Sequence, residues 1–353
     1  MKLIRFTIFC FASLLFSCSK DDTKQTTAET FIRAADLSFV PEITASGTVY
    51  KVNNQPENIL LTLKNAGCNT VRIRLWKDPA QGRSGMAEVK AFAQQVRQVG
   101  MKVWLTVHYS DSWADPEKQV IPEAWEAKTY TELKTAVADY TETILDEINP
   151  DIFQIGNETN DGFMWPHGRL TTNETQYLEL VSTASNVIRS KSAKTKIMLH
   201  FAGLTGSDWY FNKVAGIDYD YIGLSYYPIF HGKSIAAVQQ TIQNLGQTHN
   251  KKVLIAETSY PFTLGWKDWT NNIVGLDEQL VPTYPASPSG QKNFVLAVRS
   301  AVEASEYGMG FCYWGGEWVA FKGNEATNGS TYENQAMYDF QLNALSVMDA
   351  FAK

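Results

Sequence analysis

Cysteine is scarce in this chain, with four among 353 residues. They stand at Cys10, Cys18, Cys68 and Cys312, never as CxxC and never beside a histidine, so neither a disulfide framework nor a thiolate metal site is built into the sequence. Cys68 and Cys312 lie 244 positions apart (312 − 68) in apolar stretches and read as buried free thiols. Positive charge is also short: 31 Lys and Arg stand against 37 Asp and Glu, for a net charge of −6. No basic run follows the first few residues, so nucleic acid is not an expected partner. Long apolar runs are missing as well. The longest near the amino terminus, Ile8 to Phe16, is too short to cross a bilayer as a helix.

That amino terminus has the organisation of an export signal. Lys2 and Arg5 precede the apolar run, and Leu15-Phe16-Ser17-Cys18 follows it. The pattern resembles a lipoprotein signal, in which residues 1–17 are removed, Cys10 with them, and Cys18 becomes the lipid-attachment site. Ser19-Lys20-Asp21-Asp22 resembles the acidic tag that directs some Gram-negative lipoproteins outward, which implies an outer-membrane, surface-exposed protein held by lipid alone. Residues 18–30, polar and Thr-rich from Thr23, read as a tether, and 31–353 as one domain.

Within that domain, apolar strand-like runs alternate with segments of helical period. The expected strands are Phe31–Phe39, Thr70–Trp76, Val103–His108, Asp151–Glu158, Lys196–Phe201, Tyr221–Tyr226, Val253–Glu257 and Gly310–Trp314. Between them lie helices such as the one from Thr131, with Leu133, Val137, Tyr140, Ile144 and Ile148 on one face. A last helix is expected near Leu342 to Phe351, and a long irregular stretch, Tyr260 to Pro288, is expected to help form a cleft. Eight strands with helices between them make an α/β fold, a single (β/α)8 TIM barrel.

Two of these strands end on a glutamate. Gln154-Ile155-Gly156-Asn157-Glu158 and Leu254-Ile255-Ala256-Glu257 are 99 positions apart (257 − 158), yet a closed barrel would bring their carboxyl ends together. Paired carboxylates at that place suit glycoside hydrolysis, with one proton donor and one nucleophile. Other strand-end residues would converge there too. His108 opens a polar, aromatic loop containing Asp111 and Trp113; Asn157 would bond a sugar hydroxyl; Tyr226 would hold the nucleophile; Trp314 would floor the subsite. Arg72, Arg74 and Trp76 share one side of their strand, and a buried arginine requires a polar or anionic partner. The chain has ten tryptophans, and exposed indoles suit the apolar faces of sugars; Trp76, Trp113 and Trp318 are the chosen substrate-facing ones.

The motifs carry a resemblance. Val71-Arg72-Ile73-Arg74-Leu75-Trp76, His108-Tyr109-Ser110-Asp111-Ser112-Trp113-Ala114-Asp115-Pro116, Gln154-Ile155-Gly156-Asn157-Glu158, Ser225-Tyr226-Tyr227-Pro228-Ile229-Phe230-His231, Ile255-Ala256-Glu257-Thr258-Ser259-Tyr260-Pro261-Phe262 and Glu333-Asn334-Gln335-Ala336 are similar to those of the endo-β-1,4-galactanases, family 53 of the glycoside hydrolases. The resemblance runs from about Ala34 to Phe351. It implies retaining, endo-acting cleavage of β-1,4-galactan, with Glu158 as acid/base, Glu257 as nucleophile, and Arg72, His108, Asn157, Tyr226 and Trp314 in support. No cofactor is implied for catalysis. A structural calcium ion is implied after the seventh strand, where Leu264 to Leu276 has Asp268 as its only carboxylate and the ligands stay unassigned. The sequence departs from the family at Gly315-Gly316-Glu317-Trp318, where relatives often carry Glu-Pro-Ala-Trp. Two other readings stay open: another endo-glycanase of the same clan, a mannanase or cellulase, and a surface glycan-binding lipoprotein without catalysis. An endo-acting barrel on a tether has no evident need of a partner subunit, so a monomer is expected.

Overall fold

Eight apolar runs form strands that all pair in parallel and close on themselves: β1 (Ile32–Asp36), β2 (Thr70–Leu75), β3 (Lys102–Val107), β4 (Ile152–Ile155), β5 (Lys196–Ala202), β6 (Tyr221–Ser225), β7 (Lys252–Thr258) and β8 (Gly308–Tyr313). Each strand is followed by an excursion containing helix, and Phe31–Lys353 forms one compact unit, the (β/α)8 barrel. This computed structural model describes residues 29–353. The proposed signal 1–17, the lipid-attachment Cys18 and almost all of the tether lie outside the described residues.

Parallel strands are buried on both faces, so their side chains divide between two cores. Ile32, Ala34, Trp104, Ile152, Met198, Tyr221, Leu254, Ala256, Met309 and Cys312 form a separate apolar cluster that fills the barrel. The larger cluster lies between strands and helices. Continuing the inward alternation toward the carboxyl ends gives a polar layer above the apolar one: Asp36, Arg72, Thr106, Gln154, His200 and Ser225, all buried. The site rests on that layer. Cys68 and Cys312 are buried free thiols, and burial pushes the Cys68 thiol up to about 12.

Helices follow the apolar period. Tyr130–Glu147 buries Leu133, Val137, Tyr140 and Ile144, and Thr129 with Glu132 closes a capping box at its start. Three expectations differ from what the chain does. The first strand stops at Asp36, because its Oδ1 accepts from Ser38 N and Ser38 Oγ and turns the chain into a helix at Val40–Ala45. The segment from Leu342 is no helix. Asp339 Oδ1 accepts from Gln341 N and Asn343 N, Leu342 takes φ +68°, and only Ser346–Phe351 coils, as a 3-10 turn. Tyr260 to Pro288 is irregular as expected, but it walls a small hollow behind Tyr227 and Tyr332 rather than the main cleft.

The turn after β4 depends on glycine. Gly156 sits at φ +75°, and a Cβ there would lie 2.4 Å from Thr159 Cγ2. Gly156→Ala is expected to destabilise the fold by about 2 kcal/mol, from left-handed strain and the clash. A denaturation midpoint that did not move would contradict this.

Candidate active site

The two glutamates reach the cleft by different local devices. By strict alternation Leu254 and Ala256 point into the barrel, and Glu257 would face the helices. Instead β7 carries a bulge: Leu224 pairs with Ile255 but Ser225 with Glu257, and Phe311 pairs with Ile255 but Tyr313 with Thr258. The extra residue turns Glu257 inward. Glu158 lies past the end of β4, on a turn in which Gly156 and Glu158 itself have positive φ, +75° and +46°. A non-glycine residue held there stores strain that the surroundings must balance. Both side chains line a cleft of about 530 Å3 at the carboxyl end of the barrel, and oxygens of the two carboxyl groups approach within 4.8 Å.

Arg72 decides how the pair is charged. It is buried, and its Nη2 lies 2.8 Å from Glu257 Oε1 and donates to Asn157 Oδ1 at 2.8 Å, while Nη1 meets Asp36 Oδ2 at 2.8 Å. Tyr227 Oη donates to the other oxygen of Glu257 at 2.9 Å. Among the described residues, no cation lies at ion-pair distance from Glu158. Ser225 Oγ donates to its Oε1 at 2.5 Å. Burial and the neighbouring negative Glu257 push the Glu158 carboxyl up to about 8. Burial raises Glu257 too, against the pull of Arg72 and Tyr227. The ion pair makes Glu257 the one that ionises first, and Glu158 the one that holds a proton near neutral pH.

The remaining residues divide into those on the cleft and those behind it. His108, Asn157, Trp113 and Trp314 line the cleft. His108 Nδ1 accepts from Ala114 N at 3.1 Å and Trp76 Nε1 at 3.3 Å, so Nε2 carries the proton. Burial, then Arg74 and Arg72, hold this imidazole well below its usual pKa, and it is neutral. Asn157 Nδ2 gives one hydrogen to Ala114 O at 2.9 Å and keeps the other. Tyr226 does not hold the nucleophile. Inward positions of β6 are Tyr221, Gly223 and Ser225, so the next is Tyr227, whereas Tyr226 turns outward onto Phe294 with its hydroxyl buried and unpartnered.

Trp76, Asp111 and Trp318 also stand off the main cleft. Trp76 packs with Phe39 and Trp113 around the Arg74 guanidinium, at 4.4, 4.6 and 4.0 Å from ring centroid to Cζ. Asp111 uses both oxygens on backbone, accepting from Asp78 N and Glu123 N, and so ties two loops together. Trp318 stacks on Phe39 at 4.1 Å and faces Tyr332. The Gly315-Gly316 pair lets Glu317 fold under this wall, where its Oε1 accepts from Phe39 N. Burial and then Asp36 push the Glu317 carboxyl up to about 8. Sequence reasoning missed Asp36, Tyr227, Phe230 and Tyr332 on the cleft, and His200 and Ser225 beneath Glu158. For Asp36, His200, Ser225 and Tyr227 the signal was the inward parity of their strands; Phe230, in the short helix Pro228–His231, and Tyr332, in the loop before Glu333, carried no such signal.

The loops after β7 and β8 have oxygen atoms that bear on the expected calcium. Asp268 and Glu333 are buried, and each has one oxygen without a partner, Oδ2 and Oε2; Asn272 Oδ1 is a third such oxygen. A Cβ on Gly329 would lie 2.1 Å from Asp268 Oδ2, so the glycine leaves that oxygen its space. An all-oxygen donor set with two acids fits calcium.

Two outcomes follow from the charges. Glu257→Gln removes the neighbouring negative charge, so the pKa of Glu158 should fall from about 8 by roughly one unit or more, read by carboxyl NMR titration; an unmoved value would contradict the electrostatic account. Tyr227→Phe should lower kcat/KM about 10- to 100-fold by removing a charge-assisted bond, whereas Tyr226→Phe should leave it within about twofold. The reverse order would restore Tyr226 to the site.

Comparison with known proteins agrees with this geometry. The family model described as Glycosyl hydrolase family 53 matches residues 32–351. The chain is 34% identical over 327 residues to an arabinogalactan endo-beta-1,4-galactanase of Cellvibrio japonicus, covering 88% of this chain and 86% of that one. It is 32% identical to an endo-beta-1,4-galactanase of Bacillus subtilis, over 82% of this chain and 70% of the other. A solved family 53 catalytic domain from Ignisphaera aggregans superposes with TM-score 0.86 at 33% identity, over 91% and 95% of the two chains. The chain therefore belongs to glycosyl hydrolase family 53.

Proposed function

We propose that the protein hydrolyses β-1,4-galactosidic bonds inside galactan and type I arabinogalactan, with retention, releasing galacto-oligosaccharides. One observation carries the chemistry: two carboxyl groups whose oxygens come within 4.8 Å, one ion-paired and the other without an ion-pair partner among the described residues. Retaining enzymes need about 5–5.5 Å, whereas inverting ones need roughly 6.5–9.5 Å to admit a water. The galactan assignment is supported by the activity named for the Cellvibrio and Bacillus relatives.

In the first step a Glu257 oxygen attacks the anomeric carbon while Glu158 passes its proton to the departing glycosidic oxygen, which leaves with the bonding electrons. Arg72 and Tyr227 fix the attacking carboxylate. The free hydrogens of His108 Nε2 and Asn157 Nδ2 supply donors to sugar hydroxyls, and Trp314 with Tyr332, edge to face at 4.6 Å, forms an aromatic wall. In the second step Glu158, now a carboxylate, draws a proton from the water that displaces Glu257. No cofactor takes part. A mannanase or cellulase is not favoured by the named relatives, and a pure receptor has no use for a proton donor set against a nucleophile.

We further propose that calcium, held by Asp268 and Glu333 with Asn272, cross-links the loops beyond β7 and β8 without entering the chemistry, and that Cys18 anchors the protein to the outer membrane by lipid, as a surface-exposed monomer. Chelation should then lower the melting temperature by about 5 °C, and Asp268→Ala should abolish that dependence; a chelator without effect would remove the ion. For the activity, incubation with linear β-1,4-galactan, mannan and cellulose should give rapid viscosity loss and short oligosaccharides from galactan alone. Binding without products would indicate a receptor. Rates should fall as pH rises through about 8, where Glu158 loses its proton.

A further inference from the structure

Beneath Glu158 runs a hydrogen-bond chain that the two-carboxylate scheme does not use. His200, on β5, and Ser225, the last residue of β6, are both fully buried. His200 Nδ1 meets Gln154 Nε2 at 3.1 Å and receives the backbone N–H of Glu158 at 3.3 Å. The orientation of the Gln154 amide is fixed, because its Oε1 accepts from Trp104 Nε1 at 3.1 Å and Arg72 Nε at 3.3 Å, which leaves Nε2 to face the histidine. Two donors on Nδ1 place the imidazole proton on Nε2. Nε2 then donates to Ser225 Oγ at 3.0 Å, and the serine has one proton left to give, to Glu158 Oε1 at 2.5 Å. Burial, with Arg72, His108 and His231 nearby, keeps His200 neutral and so preserves this direction.

Gln154 Nε2 also donates to Gly156 O at 2.9 Å and meets Asn157 Oδ1 at 3.3 Å, but from His200 onward each bond has one direction, and that direction reaches the reacting group. Oε1 of Glu158 is always an acceptor toward Ser225. We propose that Ser225, oriented by His200, is a positioning residue that keeps the transferable proton of Glu158 on Oε2 and steadies the carboxylate left when that proton departs. The proposal rests on Glu158 being the acid/base. The proton travels from Oε2 to the glycosidic oxygen as its bond to the anomeric carbon breaks and the bond to Glu257 forms; Ser225 and His200 exchange none. The chain also starts at Arg72, the residue that holds Glu257, so one guanidinium sets the position of both carboxyl groups.

A merely structural serine would affect all substrates alike, and that is the point of the test. Ser225→Ala and the unmodified enzyme are compared on galactan and on aryl β-1,4-galactobiosides whose leaving phenols span acidic to weakly acidic. A dinitrophenolate leaves without a proton, so its kcat/KM should fall less than about threefold, which also reports that the fold and Glu257 are intact. Galactan and the poorest phenols, which need the acid, should lose about 10- to 100-fold. The alkaline limb should move up by about half to one pH unit, because a bond that favours the carboxylate is gone. Equal losses across the series, or an unmoved alkaline limb, would overturn the proposal. An unmodified enzyme that cleaves the aryl galactobiosides but not galactan would instead overturn the substrate assignment, and the aryl series would still read out Ser225.

Discussion

A buried guanidinium must find partners for its charge and its donors, and the way Arg72 does so orders the rest of the barrel mouth. It lies on β2 and reaches Asp36 at the end of β1, Asn157 just beyond β4 and Glu257 on β7. Such ion pairs are costly to desolvate and are kept where they fix a geometry. Here they also set a charge balance. Arg72 is shared between Asp36 and Glu257, and a further carboxylate in the same low-dielectric space has no cation of its own among the described residues. Glu158 and Glu317 are the two further acids, and both are pushed up to about 8. Of these only Glu158 opens to the cleft. The protonated acid of the proposed mechanism is thus a consequence of where the cations are.

Arg74 shows the other way to bury a cation. Among the described residues it has no carboxylate at ion-pair distance; Nε and Nη2 donate to Ser84 Oγ, and the rings of Phe39, Trp76 and Trp113 surround it. Burial lowers its affinity for a proton to a pKa of about 10, still far above neutral. The aromatic box fixes Trp113 at the cleft edge, and Trp76 with Asp111 lines a second hollow that shares Arg74 and Trp113 with the cleft.

Strand order, the (β/α)8 closure and the two glutamates were legible because period and strand ends are written directly in the residues. What stayed hidden depended on parity at a distance. Tyr226 and Tyr227 are indistinguishable in the sequence until one knows that Tyr221 points inward, and a one-residue shift exchanges core for cleft. Glu257 is the opposite case: its placement would fail by strict alternation, and only the bulge at Ala256–Glu257, set by partners on β6 and β8, turns it inward. Ser225 stood inside a motif without a role of its own and His200 in none, since their meaning lies in a hydrogen-bond direction that starts at Gln154. The irregular stretch Tyr260 to Pro288 was visible as a loop, but which wall it builds follows from tertiary contacts alone.

Glu257, with an oxygen within 4.8 Å of the Glu158 carboxyl, is the proposed nucleophile, and the stereochemistry of hydrolysis reports whether it attacks the sugar directly. The anomeric configuration of the first product can be followed by proton NMR from the start of hydrolysis of a β-1,4-galacto-oligosaccharide. The carboxyl separation predicts that the β-anomer appears first and mutarotates afterward. Initial release of the α-anomer would mean inversion through a water molecule, and would contradict both the role of Glu257 and the charge balance built around Arg72.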